Sequence, residues 1–472
     1  MSPRVVHEPR AEPDPPVTAN LHVAAAHWAA GRARVMEATE RDWEAMRERG
    51  REIREDAIRH LPELIDELEE RATEAGARVH RADTAVDACA RVVAICRERG
   101  ATRAVKSKSM LTEEIGLNDA LARAGIEAVE TDLGEYIVQA LGDRPSHLLA
   151  PAVHLSARQV AELFERESGR AFDPDDTQAL VAHARAVLRE RFLAAEVGIT
   201  GVNFAVAETG TLILVESEGN IRLSAGLPRV HVAVMGIEKV VRDWGGAGHL
   251  MELLPLAAHG TPAPASVSLV TGPARDGDDG PEELHLVLVD EGRSALRGTE
   301  YESALHCIRC GACLYACPVY RQVGGHAYGS TYSGPIGAVL TPALEQGAHG
   351  SDELPWLSSL CGACAEACPV KIPLDDQLVA LRADGARRHP RRAEAALFAA
   401  WARLWSRPGG YRATAATAGR ALAPLWSRLA RAASGESWEA RAPFPFSRWT
   451  DGRDARAPAP EPFHARWRRR RG

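Results

Sequence analysis

CIRCGACLYACPVY, Cys307 to Tyr320, decides the reading of this chain. Its four cysteines are separated by two, two and three residues, and a proline follows the last. Two-residue gaps let three thiolates reach three irons of one cubane cluster from a tightly wound loop. The fourth, set off by three residues and a proline, points away and ligates a second cluster. Downstream, CGACAEACPVKIP repeats the rhythm with only three cysteines, Cys361, Cys364 and Cys368. Crossed ligation follows: Cys307, Cys310, Cys313 and Cys368 hold one cluster, and Cys317, Cys361 and Cys364 the other. Three residues before Cys361, where a fourth thiolate would stand, the chain has Ser358. The second centre is then a [4Fe–4S] cluster with Ser358, water or substrate on one iron, or a [3Fe–4S] cluster lacking that corner.

Seven of the nine cysteines lie between Cys307 and Cys368. That clustering points to metal rather than to a disulfide framework. Four-cysteine zinc sites also use CxxC pairs, but seven cysteines and two Cys-Pro endings fit iron–sulfur chemistry. Cys89 and Cys96 stand apart on an expected helix and read as small buried hydrophobes. The 43 residues between Cys317 and Cys361 exceed the gap of a compact ferredoxin and imply the helical variety.

Across 472 residues the net charge is −7, which gives no reason to expect a nucleic-acid partner despite the basic tail RWRRRRG. No apolar run reaches the roughly 18–20 residues of a membrane span, so no transmembrane segment is expected. The first 20 residues lack an apolar h-region and read as a disordered leader, which places the chain in the cytoplasm.

Residues 21–76 read as an N-terminal helical segment, with Ile53, Ile58, Leu61, Leu64, Ile65 and Leu68 at helical intervals. Residues 77–292 alternate short apolar segments (ARVHRA, RAVKS, EAVETD, HLLAPAV) with helical ones, which implies an α/β domain with a mostly parallel sheet. Thr84 with Asp87, and Ser156 with Gln159, mark helix starts. Around NFAVAETG, TLILVESEGN and RVHVAVMG the strands come closer, and Gly210 and Gly219-Asn220 read as hairpin-like turns. Residues 293–386 form the two-cluster ferredoxin domain. Residues 387–472 form a helical C-terminal extension with a Pro-rich, basic tail, in which Leu397, Trp401, Leu404 and Trp405 share a helical face suited to docking.

Lys106 and Lys108 end an expected strand ahead of a helix start at Ser109–Thr112, an arrangement that suits a carboxylate or phosphate. Glu130, Asp132 and Glu135, His147 and His154, and Asn203, Glu208, Thr209, Glu218 and Asn220 form further polar concentrations. Glu208, Glu218 and His231 are the weak candidates for a catalytic base, and Glu238-Lys239 for completing a pocket. No G-x-G-x-x-G follows a strand, so the chain shows no nicotinamide or flavin fingerprint of its own.

CIRCGACLYACPVYRQVGGHAYGSTYSGPIG and SSLCGACAEACPVKIP resemble the lactate utilization protein B family. So do KSKSMLTEEIGLN, ETDLGEYIVQ, PSHLLAPAVH, NFAVAETGTLILVESEGN and GIEKVV, which are similar to the LUD domain, and the tail from FPFSRWTDGRD onward. The resemblance runs from about Leu21 to the C-terminus. It implies an α/β LUD domain related to sugar-phosphate isomerase and CoA-transferase folds, then the ferredoxin domain and the helical extension. It further implies an iron–sulfur electron-transfer subunit of a non-NAD L-lactate dehydrogenase complex that makes pyruvate. The implied partners are a cysteine-rich subunit with CCG-type motifs and a smaller LUD protein, with an unidentified electron acceptor. The alternatives are an electron-transfer subunit of another 2-hydroxy-acid or heterodisulfide oxidoreductase, and an iron–sulfur redox sensor.

Overall fold

In the computed structural model, residues 15–39, 42–275, 277–345, 351–389 and 392–417 are described, with 439–440, 455–456, 459, 461 and 463–471. The chain divides into two compact units, residues 1–385 and 386–472.

The first unit is built on ten strands: β1 (Arg78–Ala82), β2 (Arg103–Lys106), β3 (Glu127–Glu130), β4 (Val197–Gly201), β5 (Phe204–Val206), β6 (Thr211–Glu216), β7 (Val230–Gly236), β8 (Val240–Val241), β9 (Ser266–Val270) and β10 (Glu283–Val289). Six form a parallel sheet in the order β1-β10-β7-β4-β2-β3. Its central strands β4, β7 and β10 are almost wholly buried, and their near-continuous apolar sequence is what a sheet covered on both faces requires. The other four form a smaller mixed sheet, β8-β5-β6-β9.

Three helices precede β1: α1 (Pro15–Thr39), α2 (Trp43–Arg59) and α3 (Leu61–Glu74). In α3, Leu61, Leu64, Ile65, Leu68 and Ala72 are buried at helical spacing and join Leu212, Leu214 and Val240 of the smaller sheet in one core cluster. Residues 15–20, expected within a disordered leader, belong instead to α1, and Thr18 Oγ1 donates to Gln322 O at 2.8 Å. Residues 1–14 lie outside the described residues.

Ser156 and Gln159 form a reciprocal capping box, and Thr84 accepts from the Asp87 N–H. Cys89 and Cys96 are buried on the helix Ala85–Glu98. Two expectations from the sequence fail. His147–Val153 is a series of turns, held by His147 Nδ1 accepting the Leu149 and Ala150 N–H groups at 3.0 and 3.1 Å. Gly219-Asn220 opens the helix Asn220–Gly226 rather than a hairpin, because Glu216 Oε2 accepts the Ile221 and Arg222 N–H groups at 2.8 and 3.1 Å. Gly210 does turn the chain from β5 into β6.

Beyond β10, the described residues up to 385 contribute no strand. Short helices take over: Ala312–Ala316, Pro318–Val323, Gly334–Leu344, Ala363–Ala367 and Leu374–Arg388. Their apolar side chains share one core cluster with α2 and with the helix Trp244–His259.

In the second unit, the helix Arg392–Trp405 buries none of its residues; Leu397, Trp401, Leu404 and Trp405 are exposed. Much of the expected extension, including residues 418–438, lies outside the described residues.

Candidate metal centre

The cysteine runs fold as two copies of one local structure, 51 residues apart. Arg309 and Leu360 both take positive φ, +62° and +54°, and Gly311 and Gly362 follow at +72° and +78°. Each copy then makes a one-turn helix, Ala312–Ala316 or Ala363–Ala367, that ends on Cys317 or Cys368. Those terminal sulfurs accept backbone N–H groups, Cys317 from Tyr320 at 3.4 Å and Cys368 from Ile372 at 3.3 Å. Such bonds orient thiolate ligands and tune an iron–sulfur centre.

Cys307, Cys310, Cys313 and Cys368 line one recess, walled by Leu148, Ile308, Ile336, Val370, Ile372 and Leu374. All seven cysteines of the two runs are free thiols. Four sulfurs converging without a disulfide, in a dry apolar wall, suit a soft metal centre that binds thiolate. Burial, with Cys368 and Cys307 next, pushes the Cys310 thiol up, and the same sulfurs act on Cys313. Without metal these thiols therefore stay protonated; a bound metal ion deprotonates its thiol ligands.

Cys317, Cys361 and Cys364 form the second group, Cys361 acting electrostatically on Cys317 and Cys317 on Cys364. Burial raises the Cys364 thiol to about 12, whereas Cys361 is exposed and lowered, chiefly by the Ala363 N–H. Ser358 is half-buried, and its Oγ accepts the Leu360 N–H at 3.1 Å.

Because the large sheet is wholly parallel, the C-terminal ends of its strands share one edge, where ligands of open α/β sheets bind. The cysteine module is seated there. Lys239, just beyond β7, donates to Cys307 O at 3.0 Å. Tyr332 Oη donates to Glu114 at 2.6 Å and Tyr320 Oη to Ser146 O at 2.8 Å. A side chain on Gly325 would strike Ser146 O at 1.7 Å, and one on Gly311 would meet His147 at 3.3 Å. His147 stacks on Tyr315, ring centroids 4.6 Å apart.

A buried charge network fills this joint. Arg293 Nε donates to Glu238 at 2.8 Å, and its Nη1 and Nη2 to Glu114 at 3.0 and 2.7 Å. Arg54 of α2 donates to His306 O, Val240 O, Leu305 O and Glu238 O. Burial opposes the Glu238 carboxylate, yet Arg293, Lys239 and Arg309 outweigh it and hold its pKa at about 2. Burial, then Arg309, lowers Lys239 to about 7.

The two lysines separate. Lys106 is spent inside the fold: its Nζ reaches Thr112 at 3.0 Å, Glu113 at 3.1 Å and Glu130 at 2.8 Å. Burial disfavours its charge, but Glu130 and Glu113 win and raise its pKa. Lys108 Nζ is buried without a hydrogen-bond partner, and burial lowers its pKa against the pull of Glu135, Asp132 and Glu218. Burial raises Glu135 to about 8; Glu218, whose side chain is exposed, is raised by its partial burial and then by Asp132. Glu135, Asp132, Glu218 and Glu113 around one ammonium do not make the anion cradle expected of the pair.

Glu208 caps the helix Trp244–His259 by accepting the Trp244 N–H at 3.0 Å, and Asn203 accepts the Val215 N–H at 2.8 Å. Both are structural. His231 sits inside β7, bonded to Thr200 Oγ1 at 2.8 Å, and burial lowers it to about 4. His154 joins Asp143 at 3.0 Å and Ser146 at 2.8 Å, in a group with His326 rather than with His147. Sequence reasoning missed Arg54, Arg293 and Glu114. The one available signal was Arg54 itself, an arginine between Ile53 and Ala57 on the apolar face of α2.

Comparison with known proteins agrees with this layout. The LUD domain matches residues 65–289, the 4Fe-4S dicluster domain residues 303–372, and the lactate utilisation protein B C-terminal family residues 374–472. Lactate utilization protein B of Oceanobacillus iheyensis is 43% identical over 436 residues, covering 91% of this chain and 88% of its own length. That of Shouchella clausii is 45% identical, covering 89% and 87%. That of Bacillus subtilis is 47% identical, covering 74% and 73%. A crystal structure of a DUF162 family protein from Deinococcus radiodurans covers 48% of this chain and 98% of its own at 16% identity, with a TM-score of 0.28 that carries no argument. With an iron–sulfur module seated on a LUD sheet, and relatives this similar along most of its length, the chain belongs to the lactate utilization protein B family.

Proposed function

We propose that this chain is the iron–sulfur electron-transfer subunit of a cytoplasmic, multi-subunit complex that oxidises L-lactate to pyruvate without a nicotinamide. The observation that carries the reading is the sorting of seven cysteines into two neighbouring groups against the ligand-binding edge of the LUD sheet. Cys307, Cys310, Cys313 and Cys368 would hold one [4Fe–4S] cluster. Cys317, Cys361 and Cys364 would hold the second centre, with Ser358 as its candidate fourth ligand. A cluster bound in either group supplies one-electron uptake and release.

The chain's own residues do the positioning. Leu148, Ile336 and Ile372 keep water from the first group, and Lys239 and Arg54 fix the loop that carries Cys307. Glu208 and His231 are held in structural bonds and no G-x-G-x-x-G follows a strand, so the C–H step is assigned to a partner, with Glu218 the remaining candidate base of this chain. The partners proposed are the cysteine-rich CCG subunit and the smaller LUD protein. Anaerobic EPR of the chain with both partners tests this: added L-lactate should reduce the clusters. Clusters that stay oxidised in the assembled mixture refute the role, and lactate oxidation by the single chain with an artificial acceptor refutes the division of labour.

A further inference from the structure

The two cysteine groups sit in unequal electrostatic surroundings. A network of four basic side chains adjoins Cys307: Lys239, bonded to Cys307 O; Arg54, bonded to His306 O at 3.3 Å; Arg309 of the loop itself; and, behind them, Arg293, bonded to Glu238. Arg309 lies 4.6 Å over the Tyr332 ring and reaches Glu238 at 3.4 Å, while its Nη1 is buried with no hydrogen-bond partner. Within this network only Glu114 and Glu238 offset the four. Arg47 of α2 adds a guanidinium on the far side, donating to Cys368 O at 2.9 Å and Ala365 O at 3.0 Å.

The second group lacks this excess. Asp375 faces Cys361 and Cys364, with Oδ2 at 3.4 Å from where a Gly362 side chain would begin. Arg382 balances it by donating to Ser358 O at 2.8 Å. Cys361 is also exposed, so water screens what charge remains. A buried site feels a nearby charge far more strongly than a wet one.

We propose that Arg54 and Arg309 make the Cys307–Cys310–Cys313–Cys368 site the more readily reduced of the two, by holding excess positive charge against its thiolates. Reducing an iron–sulfur centre adds one negative charge to it, and net charge near the centre is one of the levers on its potential. The inference rests on both groups holding iron–sulfur clusters, which iron and sulfide analysis of each sample checks separately.

The test is an EPR-monitored redox titration of the anaerobically purified full chain. Wild type should show two midpoints. Arg309→Gln should lower the higher midpoint and leave the other in place, and Arg309→Lys, which keeps the charge, should restore it. Should Arg309→Gln fail to assemble, Glu238→Gln removes an offsetting anion and should raise the same midpoint. Equal wild-type midpoints overturn the proposal, as does a loaded variant that moves neither midpoint, both together, or the lower one alone.

Discussion

Ser358 occupies the place of Cys307. Its Oγ accepts the N–H of Leu360 at 3.1 Å, as Cys307 Sγ accepts that of Arg309 at 3.4 Å, and the two N–H donors share a positive φ. The second run therefore keeps the loop shape of a four-cysteine run while offering an oxygen at its first corner. Ser358→Cys should fit without strain and complete a four-thiolate set. Its iron content should be no lower than wild type, and its second centre should resist oxygen longer in an EPR time course. A variant that loses iron would show that the corner is closed to a ligand.

Arg54 ties the LUD strands to the cysteine loop through four backbone carbonyls. Arg54→Met strands these buried acceptors and should cost on the order of 3 kcal/mol, since hydrogen bonds to charged groups contribute about 1.5–3 kcal/mol each. Anaerobic urea denaturation measures it.

Lys106 and Lys108 should respond in opposite ways. Lys106→Met leaves Glu130, which is 2% exposed, without its cation and should destabilise by about 3–5 kcal/mol. Lys108→Met removes an ammonium that has no hydrogen-bond partner and should lower the melting temperature much less. Thermal unfolding of the two variants side by side decides the matter.

The Glu135 carboxyl is 3% exposed and, through burial, titrates near 8 rather than near its ordinary 4.5. Between those values the folded chain holds a proton there that the unfolded chain has released, so this group makes stability fall as pH rises. Glu135→Gln should flatten that decline between about pH 5 and 8 in denaturation midpoints. An unchanged slope would mean that Glu135 is ionised in the fold.

The two cysteine runs and the serine at the head of the second were legible because their spacing is written in the chain itself. Helices such as Leu61–Glu74 were legible for a similar reason, since an apolar stripe has only one way to be buried. What failed depended on partners distant in the chain. His147–Val153 has the composition of a strand, but its N–H groups go to a histidine ring. Lys106 and Lys108 look equivalent until Glu113 and Glu130 close on the first alone. Arg54 breaks an apolar face, and only the carbonyls of residues 184 to 252 positions away explain it.

The central claim is that seven cysteines hold two iron–sulfur centres by crossed ligation. Iron, acid-labile sulfide and EPR of the anaerobically purified chain, beside Cys368→Ala and Cys317→Ala, test it most directly. Wild type should contain both elements in two centres. Cys368→Ala should disturb the centre of Cys307, Cys310 and Cys313, and Cys317→Ala that of Cys361 and Cys364. Zinc in place of iron and sulfide, or the same centre lost in both variants, would contradict the account.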